Sequence, residues 1–286
     1  MARALAASLL ASIALCATPH GALAQLAAPN ASGVAMGHLH FVVRDVAVTK
    51  AFWEKLGGKP VTLGTTEGVK FPDVIVLLQA GESNGSSEGA VVNHAAFRVQ
   101  SLAALERAGF AVQYNAEYPG VASIFTPDGE RIELFDDGLA TNLGFTIDGG
   151  GTNATAERHN RKIDVPIIAH HVHFEVPEDQ VGAAKQWYAT HFGGVRGKRW
   201  RYEAVDLPGI NLNFSAAPKP QAPTKGRMLD HIGFEVTELE AFCRRLAAEG
   251  VRFEQPYQKL PSGFALALIT DPWGTTIELT EGLRAL

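Results

Sequence analysis

The chain has 286 residues, 19% charged and 46% hydrophobic, with 25 Lys and Arg against 30 Asp and Glu. That length fits two domains better than one core, and the composition is that of a globular protein, neither disordered nor polytopic in a membrane. A formal charge of −5 argues against a nucleic-acid partner, whose phosphates call for a basic surplus, and two cysteines, Cys16 and Cys243, cannot build a disulfide framework.

The first 24 residues carry one cation, Arg3, then an apolar run from Leu5 to Ala17, then Ala22-Leu23-Ala24. This is the pattern of a cleavable secretory signal, with an apolar run too short to anchor the chain in a bilayer. Leu15, bulky where a lipoprotein signal needs a small residue before Cys16, argues against lipidation. Cleavage would remove 24 of the 286 residues, leave 262 with Cys243 as the lone thiol, and put a bacterial protein in the periplasm or outside the cell, with no membrane anchor. The Asn-x-Ser/Thr triplets at Asn30, Asn84 and Asn153 read as chance matches in loops.

Beyond the signal one pattern recurs four times, opening at His38, His94, His171 and His231, each with Phe three residues later and Val five later. The alternation predicts four strands, with the His and the residues two and four further on facing one way and the apolar residues facing the other. Helical patterns follow at 46–56, 102–108, 181–192 and 239–248, each ending at glycine: Gly57-Gly58, Gly109, Gly193-Gly194 and Gly250. Each unit closes on an apolar-x-apolar strand, Ile75-Val76-Leu77, Ile132-Glu133-Leu134, Ile210-Asn211-Leu212 or Ile277-Glu278-Leu279, whose middle residue is expected on the face opposite the core. In the second and fourth units a Pro-x-Gly turn, Pro127-Asp128-Gly129 or Pro272-Trp273-Gly274, precedes that strand. The fold class is therefore α+β, with four strand-helix-three-strand units.

Equivalent positions in units one and three, and in two and four, are separated by similar distances, which reads as a tandem duplication of a two-unit domain. The expected organisation is a first domain over 36–138, a linker over 139–165 containing Gly149-Gly150-Gly151, and a second domain over 166–286. A shorter Pro-rich link over 216–226 joins the last two units.

Two His on the first strands of a half and one Glu on its last strand could meet at one point, giving His38, His94 and Glu133 in the first half and His171, His231 and Glu278 in the second. Two imidazoles and one carboxylate on one side of a metal leave positions open for substrate or dioxygen, a set that favours Fe(II) and also suits Mn, Zn, Ni or Co. The alternation puts His40 beside His38 and His173 beside His171, where each is a candidate for proton transfer or for a further ligand, while Ala96 and Gly233 on the partner strands leave room.

These features resemble the vicinal oxygen chelate superfamily, which includes glyoxalase I, bleomycin resistance proteins and extradiol dioxygenases. The carriers are the first strands His38 to Asp45 and His171 to Glu178, the stretch Ala51 to Gly58 and the stretch Asp271 to Leu279. The resemblance implies paired βαβββ modules forming curved mixed sheets that cup a divalent metal. It also implies a metal-dependent enzyme, dioxygenase-like, acting on a small oxygenated organic substrate, which the signal pattern would place outside the cytoplasm. The alternatives are a glyoxalase-like lyase or isomerase and a non-catalytic ligand-sequestering protein of bleomycin-resistance type, and a homo-oligomer is compatible with all three. Two departures stand out: Val76 and Asn211 occupy the closing-strand positions where glyoxalases supply an acid, and 262–271 has neither the His nor the Tyr of extradiol dioxygenases.

Among the remaining candidates, Trp53, Trp187 and Tyr188 read as packing residues and Cys243 as a small buried hydrophobe. Lys198 to Tyr202 is a basic-aromatic stretch that could meet an anionic or aromatic substrate but reads first as a solvated edge strand with protective charges, and His159 and His191 have no repeat partner.

Overall fold

All four repeats open on a strand, and each strand leads into a helix and three further strands. The structure, a computed structural model, describes residues 25–286; the expected export signal and Cys16 lie outside the described residues. Unit one comprises β1 (Val34–Val43), α1 (Val46–Lys55), β2 (Lys59–Leu63), β3 (Thr66–Phe71) and β4 (Val74–Ala80). Unit two comprises β5 (Val92–Val99), α2 (Leu102–Arg107), β6 (Gln113–Tyr114), β7 (Val121–Phe125) and β8 (Arg131–Asp136). A connection bearing β9 (Phe145–Ile147) and α3 (Ala154–Asn160) leads to unit three: β10 (Ile167–Val176), α4 (Val181–Phe192), β11 (Val195–Arg199), β12 (Tyr202–Leu207) and β13 (Ile210–Ala216). Unit four comprises β14 (Leu229–Val236), α5 (Leu239–Ala248), β15 (Phe253–Lys259), β16 (Ala265–Thr270) and β17 (Thr276–Glu281).

The units do not pair within halves of the chain. One open mixed sheet runs β15-β16-β17-β14-β1-β4-β3-β2 and so joins units one and four, while the other runs β6-β7-β8-β5-β10-β13-β12-β11-β9 and joins units two and three. In each sheet the two opening strands lie antiparallel at the centre, β1 on β14 and β5 on β10. The crossings between sheets are made by the loops 81–91 and 217–228, which run together: Val91 N and Ala222 N donate to Ala222 O and Gly89 O, and Asn84 N donates to Gly226 O. The 139–165 segment, expected as a linker between domains, instead connects two units of the same sheet, and its strand β9 covers the outer edge of β11.

A β-bulge explains how a single strand can serve both the core and a site. In β1 the register against β14 slips between Met36 and His38, so Val34 and Met36 face the core on even numbers and Leu39, Phe41 and Val43 on odd ones. Gly37 sits at the slip, where a Cβ would lie 2.9 Å from Glu235 N. The same slip in β10, between Ala169 and His171, turns His171 and His173 away from the core side held by Val172 and Phe174.

The apolar faces of both sheets and the helices between them form one continuous core. Trp53 on α1, fully buried, touches Phe41 of one sheet and Phe97 of the other at ring separations of 5.6 and 5.7 Å. Tyr188 on α4 reaches across to donate to Asp271 Oδ2 at 2.7 Å. Cys243 is buried on α5, as expected of a small hydrophobe.

Candidate metal centre

The pairing of units decides which histidines meet. His38 on β1, His231 on β14 and Glu278 on β17 converge, whereas the expected sets His38–His94–Glu133 and His171–His231–Glu278 are split between sheets. Two structurally equivalent centres result, each drawing one opening strand from either half of the chain.

In the first, His38 Nε2 lies 2.9 Å and His231 Nε2 3.4 Å from the same oxygen, Glu278 Oε2. Neither nitrogen makes a hydrogen bond, although both are buried. Buried polar nitrogens normally have a partner, and two donors about 2.1 Å from a common ion at a right angle would stand about 3 Å apart, so the three atoms fit around a divalent metal. Asp230 Oδ1 lies 2.7 Å from His231 Nδ1 and accepts its proton, which leaves the Nε2 lone pair free to face the centre. Burial works against a charged His231, but Asp230 and Glu278 outweigh it and raise the imidazole above its ordinary value. Burial would likewise raise the Glu278 carboxyl, yet the flanking His231 and His38 hold it well below the usual carboxylate range.

His40 is the fourth member of this group, stacked on His231 at a ring separation of 4.3 Å. Its Nε2 donates to Gln79 Oε1 at 3.2 Å, leaving Nδ1 buried without a partner. Burial, then the neighbouring His231 and His38, push this imidazole down to about 3, so it is neutral at pH 7. Gly233 faces the His38 ring, and a Cβ there would lie 2.0 Å from Cε1. A cavity of about 660 Å³ opens against His40 and Glu278, walled by Leu63, Leu77, Phe264 and Leu266, with no Lys or Arg among the described residues of its lining.

In the second centre, between β5 and β10, His94 Nε2 and His171 Nε2 lie 3.2 and 3.5 Å from Glu133 Oε2. His173 stacks on His94 at 4.9 Å, and its Nε2 lies 2.8 Å from Ser215 Oγ. His94, His171 and His173 are close enough to share an ion. Their surroundings differ from those of the first centre. Asn93 stands where the first centre has Asp230, Arg131 Nη2 lies 2.6 Å from His94 Nδ1, and the guanidinium of Arg199 is buried beside the histidines. Burial first, then Arg199, hold His171 well below the ordinary imidazole range. His170, at the bulge, has its Nδ1 2.9 Å from His171 Nδ1.

Comparison with known proteins agrees with this architecture. Residues 169–279 match the Glyoxalase/Bleomycin resistance protein/Dioxygenase superfamily. This match to the vicinal oxygen chelate superfamily covers units three and four only. Glyoxalase I from Zea mays is similar in fold, with a TM-score of 0.61 at 15% identity over 88% of this chain and 94% of that one. A Bacillus subtilis protein provisionally described as a dioxygenase has a TM-score of 0.56 at 14% identity over 90% and 86% of the two chains. No curated protein matches the sequence.

Two further sequence readings need correction. Val76 points into the core, and Ile75 and Leu77 share the face of His38 and His40. Three successive apolar residues carry no phase, so the closing strand could not be oriented from its own sequence. In unit three the polar Asn211 and Asn213 do carry it, and they pair with His171 and His173. Lys198 to Tyr202 is not a solvated edge, because β9 pairs outside β11 and Arg199 is only 1% exposed. Asp230 and Arg131 carry no expectation from the sequence, and Arg199 only that of the basic-aromatic stretch 198–202. The Asp-His and Asn-His dipeptides at 230–231 and 93–94 were the available signal.

Proposed function

We propose that this protein is an exported enzyme that uses one divalent metal, held by His38, His231 and Glu278, to act on a small, largely apolar organic substrate bearing adjacent oxygens. The observation carrying this reading is the convergence of two buried, unbonded Nε2 atoms on one Glu278 oxygen at the wall of a 660 Å³ cavity. A metal bound there would supply Lewis-acid polarisation of the substrate oxygens and an open position for dioxygen. Glu278 and His40 both line the cavity, so a substrate in it would lie against the centre. The leucine and phenylalanine walls bind an apolar body and exclude water, and the absence of a cation in the lining disfavours a polyanionic substrate such as a glutathione adduct. A dioxygenase-like reaction with iron fits this lining best.

His40 favours a second reading, a metal-assisted lyase or isomerase. Its unpartnered Nδ1 offers a free lone pair beside the cavity, while Gln79 fixes the ring through Nε2. Sequestration of a ligand without turnover is the non-catalytic alternative. Purification without added metal, followed by metal analysis and oxygen uptake with catechols, separates the three. Iron and catechol-dependent uptake support the oxygenase; zinc or nickel with turnover that His40→Ala abolishes supports proton transfer; binding without turnover supports sequestration. Full metal retention by Glu278→Gln refutes the centre itself. The secretory pattern of residues 1–24 supports export, which cell fractionation tests.

A further inference from the structure

We propose that the second centre, between β5 and β10, is not a metal site but a pocket for a small organic monoanion, a carboxylate held by Arg199. Spacing alone does not distinguish it, since His94, His171 and His173 lie close enough to share an ion. Charge does.

His94 Nδ1 lies 2.8 Å from Asn93 Oδ1, a neutral acceptor, and 2.6 Å from Arg131 Nη2, a cation. In the first centre the partner of His231 Nδ1 is the carboxylate of Asp230. The charged groups acting on His231 are Asp230 and Glu278, and two carboxylates balance a divalent cation. Glu133 is the one carboxylate of the second centre and already faces Arg131 and Arg199, so a divalent cation there would add to an existing positive surplus.

That surplus calls for an anion. Arg199, 1% exposed, donates from Nε to Asn213 Oδ1 at 3.0 Å and from Nη1 to Asn142 O at 3.1 Å, both neutral acceptors. Among the described residues no carboxylate oxygen lies within 4.0 Å of it and Nη2 has no acceptor. A buried guanidinium without a carboxylate partner is costly, and here it lines a cavity of about 150 Å³. Tyr118, Trp200 and Tyr202 form aromatic walls of that cavity, and Arg201, stacked 4.2 Å over Trp200, adds a cation at its rim. The volume is that of about five water molecules, which suits an anion of aromatic-acid size or smaller.

The test uses the whole chain loaded with its metal, with benzoate as probe and benzamide as its neutral isostere, in isothermal titration. One benzoate per chain, bound at least tenfold more tightly than benzamide and weakened at least tenfold in Arg199→Met, is expected. Arg201→Gln, an exposed change that leaves the core alone, is expected to weaken benzoate severalfold and covers the case in which Arg199→Met does not fold. Metal analysis is expected to give one equivalent, kept in Glu133→Gln. Two equivalents with one lost in Glu133→Gln, no benzoate binding, equal affinity for benzamide, or benzoate binding unaffected by both arginine variants overturns the proposal. Benzoate binding abolished by Glu278→Gln assigns the probe to the first centre and also overturns it, whereas failure of Glu278→Gln to release metal strikes at the first centre instead.

Discussion

Substituting Gly233 by Ala isolates the contribution of one ligand position. Gly233 lies on β14 opposite His38, and it is not among the glycines with positive φ, so alanine imposes no backbone strain there. The cost is local: the new Cβ would stand 2.0 Å from His38 Cε1, 2.2 Å from Nδ1 and 2.5 Å from Nε2. Restoring an ordinary contact of about 3.4 Å moves the ring by about 1.4 Å, whereas metal–ligand distances hold to about 0.2 Å. The His38 ligand is therefore lost, or β14 is pushed away and Glu278 with it. Changing a residue that merely orients a ligand costs about 10- to 100-fold in affinity, so displacing the ligand itself should weaken metal binding by at least about 100-fold. Competition against a chromophoric chelator measures this, with thermal unfolding of the metal-free protein confirming an unchanged fold. The second centre supplies the control, because Ala96 already occupies the equivalent position opposite His171 and Ala96→Gly should leave metal content unchanged. Wild-type affinity in Gly233→Ala would falsify the placement of His38 in the metal shell.

Three further outcomes follow from the same geometry. Asp230→Ala removes the acceptor that fixes His231, and metal affinity is expected to fall about 10- to 100-fold in the same competition assay. Glu130, which accepts from Ser87 N at 2.8 Å, is pushed up to about 7 by burial. The folded state then holds a proton that the unfolded state releases near pH 4.5, so stability falls as pH rises from there to about 7. Glu130→Gln should stabilise the protein at pH 8 by up to about 3 kcal/mol and have little effect at pH 4, as measured by denaturant titration. Tyr188→Phe leaves Asp271 without the hydroxyl that ties α4 to unit four, while Asp271 Oδ1 still accepts from Trp273 N and Thr275 N. A loss of about 1–3 kcal/mol in the same titration is expected.

The four units were legible because each opening strand sets His on one face and Phe and Val on the other, and because a glycine follows each helix. Partner choice was not. The spacings that pair unit one with three and two with four describe the duplication equally well whichever units share a sheet, since every opening strand offers the same face to a neighbour. What separates the pairings is the path of the loops 81–91 and 217–228, whose mutual hydrogen bonds bind residues more than a hundred positions apart. The ligand types were therefore readable, but their grouping was not. The phase of Ile75-Val76-Leu77 was hidden for a simpler reason, an apolar residue on both faces. Arg199 was misread because its edge is covered by β9, a three-residue strand inside a segment whose glycines read as linker.

The exchange of units between sheets bears on how the two centres can differ. In a symmetric pair of identical half-chains, each centre would be built from the same two strands and every substitution would appear in both. Joining the halves in one chain lifts that constraint, so Asp230 could stand in one centre while Asn93 stands in the other, and Arg199 could enter one without harming its twin. A protein with two copies of a fold need not hold two copies of a function, and here the asymmetry is carried by residues that flank the repeated histidines.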